Sequence, residues 1–225
     1  MKICIISKYP PIEGGVSSGI YWLAKGLGEV GHEVFVVSNC WEVEETFREV
    51  IQEEESGKLE PKNVHLFSTQ NDRPRSPPIP YLNSYVTKIA SLSIDVIRKH
   101  DPDVIYSEYL LPYGVSALIA KHVTKKPMIV RHAGSDITTL FDSPFLRTAF
   151  IEVFKFSDKA MIRGDKIGML SELGMERDRF VSLRRSVDTK AFNPNAKPYD
   201  FSKYKVSESP VFTYFGKLDR MKRCS

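Results

Sequence analysis

Apolar residues fall along this chain in short solid runs, and between the runs they recur every third or fourth position. "KICIIS" opens the sequence as a β-rich run and "KYPPIEGG" ends it; "VSSGIYWLAKGLGEVGH" then places Ile20, Leu23, Ala24, Leu27 and Val30 at helical spacing. "EVFVVS" follows as a second strand. A strand, a glycine loop, a helix and a strand within about 35 residues predict a parallel pair joined by a right-handed crossover, because a hairpin has no room for so long a connection.

The alternation then continues. "NVHLFST" predicts a strand, residues 81 to 99 a helix, "DVIYSE" a strand, 114 to 124 a helix, and "PMIVRHAG" a strand. Residues 143 to 156 predict a helix, "KAMIR" a strand, "DKIGMLSELG" a helix stopped by Gly174, and "RFVSLRR" a further strand. Such a pattern defines an α/β fold with a doubly wound, Rossmann-like parallel sheet. Two stretches interrupt it: residues 42 to 60, with "EEES", predict an exposed acidic helix, and "NDRPRSPPIP" predicts a surface loop.

"NPNAKPYDFSKYKVSESP" is polar and proline-rich, a linker by composition. The expected organisation is a first domain over residues 1–190, a linker over 191–209 and the opening of a second domain over 210–225. "VFTYFGKLDRMK" in that last segment has the pattern of a strand entering a basic loop.

The totals narrow the class. At 225 residues, 42% hydrophobic and 27% charged, the chain has the composition of a globular protein with a buried core. A net charge of +4 fits an anionic small ligand or an acidic membrane surface at least as well as nucleic acid, which calls for a concentrated basic face; no nucleic acid is expected. Cys4, Cys40 and Cys224 are widely spaced and contain no C-x-x-C pair, so neither a disulfide framework nor a zinc site is expected, and a reducing cytoplasm is the simplest setting. Only two glutamines, Gln52 and Gln70, stand among many lysines and glutamates, which leans towards a heat-stable source.

Chemistry is expected where strands end. Gly14 and Gly15 follow the first strand, where paired glycines permit positive φ and bring backbone N–H groups close to a ligand. The following helix, capped by Ser17 or Ser18, would aim its positive end at the same place. An anion site and an ordinary tight turn both fit this spacing, while the absence of G-x-G-x-x-G argues against a dinucleotide. "RHAGSDI" also follows a strand, placing His132 and Asp136 at the carboxyl edge, where a histidine suits sugar hydroxyls or developing charge. A histidine satisfied by backbone is the alternative.

The first strand followed by "YPPIEGG", then "RHAGSD", "SVDTKAFNP" and "YFGKLDRMK", in that order, resembles a family 4 glycosyltransferase of the GT-B fold. The resemblance covers essentially the whole chain. It implies the N-terminal, acceptor-side half of a retaining enzyme that moves a sugar from a nucleotide diphosphate sugar to an acceptor hydroxyl, with neither cofactor nor metal. It further implies that Gly14 and Gly15 approach the donor diphosphate and acceptor, that His132 is catalytic and contacts the transferred sugar beside Gly134 and Asp136, and that Lys217 and Lys222 pair with the diphosphate. Arg185 and Ser186 depart from the Asn-Gly that the family often has before its Val-Asp. The family continues beyond this point with a complete donor-binding domain, so the expectation is a truncated form, inactive alone, that self-associates through its exposed interdomain face.

The implied acceptor is a sugar or a lipid-linked one. "RPRSPPIPYLNSYVTKIASLSIDVIRKH" accordingly has two readings, a solvated loop over a core helix or a peripheral contact with the inner face of a membrane. A non-catalytic carbohydrate- or lipid-binding module is the rival to an enzyme, and a nucleotide-dependent epimerase or dehydrogenase is the second rival.

Overall fold

Runs of β-branched and aromatic residues, apolar on both sides of the pleat, are stable only as inner strands with both faces covered. The computed structural model describes residues 1–50, 57–70, 85–162, 164–172, 174–181, 189–190, 192–197 and 200. Its elements run β1 (Lys2–Ser7), α1 (Gly15–Glu29), β2 (Glu33–Ser38), β3 (Val64–Ser68), α2 (Tyr85–His100), β4 (Val104–Glu108), α3 (Val115–Thr124), β5 (Met128–Arg131), α4 (Arg147–Phe156), β6 (Lys159–Met161), α5 (Gly164–Glu172) and β7 (Phe180–Val181). The seven strands form one sheet in the order β3-β2-β1-β4-β5-β6-β7, every pair parallel. This is the doubly wound sheet that the alternation predicts.

Strand alternation divides the core in two. Cys4 and Ile6 of β1, with Phe35 and Val37 of β2, join Ile89, Val96 and Ile97 of α2, Ala117 and Ala120 of α3, and Phe150, Val153 and Phe154 of α4. Ile3 and Ile5, with Val34 and Val36, pack instead with Ile20 and Ala24 of α1 and with Leu59. The apolar face of α2 is thus spent on the core, as the core-helix reading has it. The "NDRPRSPPIP" part of that segment lies outside the described residues. No helix among the described residues is long and apolar enough to cross a membrane.

Two expectations need correction. Residues 42 to 50 and 57 to 60 form no exposed acidic helix: Glu45–Phe47 is a single 3-10 turn, and Glu42 is buried. Glu42 turns inward because Lys88 Nζ and the Thr69 hydroxyl both donate to its carboxylate at 2.6 Å. The residues after it lie against the glycine loop, with an Ile12–Arg48 bridge, Glu13 N–H donating to Phe47 O at 2.9 Å and Glu49 N–H to Pro11 O at 2.8 Å. The second correction concerns the cap of α1. Gly14 is its N-cap and no side chain caps it; Ser17 lies inside the first turn with its hydroxyl buried.

The chain divides into two units, Met1–Val187 and Asp188–Ser225. In the second, the described residues make a local turn in which Asn193 Nδ2 donates to Lys190 O at 2.7 Å and Asn195 N–H to Asn193 Oδ1 at 2.9 Å. The strand expected at 211–215, and with it Lys217 and Lys222, lies outside the described residues.

Candidate functional site

All strands run the same way, so their carboxyl ends share one edge of the sheet. The chain leaves β1 towards β2 on one side and returns from β3 to β4 on the other, which makes the β1/β4 boundary the topological switch point, where a crevice opens in folds of this class. Two serines stitch this boundary. Ser7 Oγ donates to Glu108 O at 2.9 Å, and Ser107 Oγ donates to Ile6 O at 3.0 Å.

On the β1 side stands the loop to α1. Gly14 has φ +121°, a conformation that favours glycine, and a Cβ built there would meet nothing within 4 Å. Gly14 and Gly15 are both exposed, so the start of α1 is open to solvent, where an anion could reach a helix N-terminus.

On the β4 and β5 side, one buried carboxylate organises two loops. Asp136 Oδ2 accepts the Ala133 N–H at 3.0 Å and the Leu110 N–H at 3.1 Å, tying the end of β5 to the end of β4. Its side chain is fully buried, and burial raises its pKa to about 6 despite those two donors. His132 Nδ1 lies 3.9 Å from Asp136 Oδ1, with the imidazole 7% exposed. Gly134 is exposed and also leaves open space where a Cβ would stand. His132, Gly134 and Asp136 therefore converge on one loop, but Asp136 faces inward, towards backbone and imidazole.

Four further residues of this edge were not singled out by the sequence reading. Glu108 is buried, accepts the Tyr106 hydroxyl at 3.1 Å and lies 3.7 Å from Arg131 Nη1. Tyr109 has φ +81°, its hydroxyl pairs with Ser135 Oγ at 3.2 Å, and Lys8 Nζ stands 5.2 Å from the centre of its ring. The available signal was positional, since Lys8, Glu108, Tyr109 and Arg131 each stand at or beside the end of an apolar run. Among the described residues no three His, Cys, Asp or Glu side chains come together as a metal site would require. The arrangement offers an imidazole backed by a carboxylate, a partly buried ammonium and an open helix start.

The family described as Glycosyltransferase Family 4 matches residues 13–159, and the chain belongs to that family. No curated protein matches the sequence significantly. Among solved structures, Anabaena Alr3699/HepE in complex with UDP-glucose matches with TM-score 0.57 at 14% identity, over 86% of this chain and 47% of that one. The S. aureus MnaA-UDP co-structure matches with TM-score 0.57 at 16% identity, over 91% and 51%. UDP-GlcNAc 2-epimerase from Methanocaldococcus jannaschii matches with TM-score 0.53 at 12% identity, over 82% and 46%. At these identities the likeness is one of fold, and this chain spans about half the length of the structures that it matches. The fold is the Rossmann-like domain of GT-B enzymes.

Proposed function

We propose that this domain is the acceptor-side half of a retaining glycosyltransferase, which transfers a sugar from a nucleotide diphosphate sugar to an acceptor hydroxyl. The observation that carries the reading is the placement of His132, backed by Asp136, and the open Gly14–Gly15 helix start at one switch-point edge of a family 4 domain. UDP or UDP-glucose in the structures of similar fold supports a nucleotide diphosphate donor. The epimerase of the same fold leaves the reaction to be decided by family membership, which favours transfer.

In this reading His132 contacts the transferred sugar and Asp136 positions the imidazole. Gly14, Gly15 and Gly134 leave room for the substrates, and Lys217 and Lys222 pair with the diphosphate as it departs. Residues 1–190 form the acceptor-side domain, 191–209 the linker, and 210–225 belong to the donor-side domain.

The test has two arms. Saturation-transfer NMR of the 225-residue chain with UDP-glucose and GDP-mannose reads contact with this domain, and the expected result is contact by at least one. Turnover is then assayed in the chain alone and fused to a complete donor-side domain, with the product anomer read by proton NMR. Transfer with unchanged anomeric configuration is expected in the fusion, with its rate falling at least about a hundredfold in His132→Ala. An inverted product, or no contact by either nucleotide sugar, overturns the reading.

A further inference from the structure

Among the described residues Lys8 is a partly buried cation that no carboxylate pairs with. It follows β1 directly and is partly buried at the switch point. Burial lowers its pKa, and no charged group offsets that effect. Other partly buried lysines are handled differently. Lys88 pairs with Glu42, Lys121 with Asp158, and Lys126 with Asp101, each in direct contact.

The carboxylates of the adjoining strand ends are already committed. Glu108 holds the Tyr106 hydroxyl and faces Arg131, while Asp136 holds the Ala133 and Leu110 N–H groups. What Lys8 does have is an aromatic wall: the Tyr109 ring lies 5.2 Å from Nζ, on a residue held at φ +81° and tethered to Ser135. A non-glycine residue in that region carries strain, which a fold retains where a side chain must be aimed. A partly desolvated charge gains by pairing, and among the described residues no carboxylate takes that place, which leaves Lys8 open to an anion from outside.

We propose that Lys8 binds a phosphate group of the molecule that occupies the switch-point crevice. This rests on the glycosyltransferase reading above for the identity of that molecule, but the chemistry belongs to the site itself. A lysine ammonium is a compact point charge with three donors, suited to phosphate oxygens. It shares its loop with the exposed start of α1, so the backbone adds field of the same sign. The phosphate has two sources, the diphosphate of a nucleotide sugar or a phosphate carried by the acceptor.

Calorimetric titration of the 225-residue chain with inorganic pyrophosphate, UDP and decyl phosphate, in wild type, Lys8→Met and Lys8→Arg, tests this. At least one probe binds the wild type, Lys8→Met weakens it by about tenfold or more, and Lys8→Arg holds it within about threefold. Loss confined to pyrophosphate and UDP assigns the donor as the source, and loss confined to decyl phosphate assigns the acceptor. A second readout needs no ligand: Lys8→Met should melt above wild type in phosphate-free buffer, because an unpaired desolvated charge is gone. Equal binding of every probe by Lys8→Met, no binding by wild type, or a lower melting temperature for Lys8→Met would overturn the proposal. If the fusion transfers no sugar while the Lys8 effects persist, the enzymatic reading falls and the phosphate site stands. Transfer untouched by Lys8→Met removes the site and leaves the enzyme.

Discussion

Asp136 Oδ2 holds the backbone N–H of Leu110 at 3.1 Å across 26 residues of sequence, so the loops that end β4 and β5 share one acceptor. The groups facing this carboxylate are that N–H, the backbone N–H groups of Ala133, Ile137 and Asp136 itself, and His132 Nδ1.

Its titration should be visible in stability. Burial lifts the carboxyl from 3.8 to about 6, so between those values the folded chain keeps a proton that the unfolded chain has released. The contribution is therefore full below the lower value and lost as pH rises through the upper one, by at most about 3 kcal/mol. Asp136→Asn retains an oxygen for the two N–H groups and should remove this falling limb from urea unfolding series between pH 4 and pH 8; an unchanged limb would assign it to other groups. Asp136→Ala should cost about 2 kcal/mol or more, by stranding two buried donors.

Gly28 and Gly26 lie on the same helix and should respond in opposite directions to alanine. A Cβ on Gly28 would sit 2.2 Å from Lys62 O, where the end of α1 crosses the approach to β3, whereas a Cβ on Gly26 meets nothing within 4 Å. Gly28→Ala should destabilise by about 1–3 kcal/mol through overpacking. Gly26→Ala should stabilise by roughly 0.5–1 kcal/mol through helix propensity alone. Thermal melts of the two variants beside wild type give both signs, and a stabilising Gly28→Ala would mean that α1 shifts freely.

Glu42 and Lys88 form a buried pair whose halves should not be separable. The Glu42 side chain is 1% exposed and Lys88 20%, so Lys88→Met leaves a carboxylate with only Thr69 to hold it and should cost about 3 kcal/mol. Adding Glu42→Gln should recover more than half of that loss. A double-mutant cycle by denaturant unfolding reads the coupling, and additive losses would show that the pair is not a unit.

Gly14→Ala tests conformation without crowding. Open space surrounds the position, so any cost comes from φ +121°, about 1–3 kcal/mol. Stability matching wild type would show that the loop can adopt another backbone path.

The sheet was legible because β1 and β2 are solid apolar runs that fit only a sheet covered on both faces, and because strand and helix patterns alternate after them. The placement of Gly14, Gly15, His132 and Gly134 at the carboxyl edge followed from the same reading, since each comes just after a strand. The direction of Asp136 did not, because its partner Leu110 is an N–H group that any residue possesses. Glu42 was misplaced on an exposed helix for a related reason: its partner Lys88 stands 46 residues away and carries no mark of the pairing. Tyr109 was missed since a positive φ on an aromatic residue leaves no trace in composition or periodicity.

The two strands that flank the crevice, β1 and β4, are inner strands, each paired on both sides. Fraying begins at edges, here β3 and the two-residue β7, and neither edge strand contributes a residue to the Lys8–Tyr109–His132 region. Warming or mild denaturant should therefore loosen the periphery while leaving that region intact, until the sheet itself gives way. Ligand recognition would then vanish in one cooperative step with the fold rather than decline in advance of it.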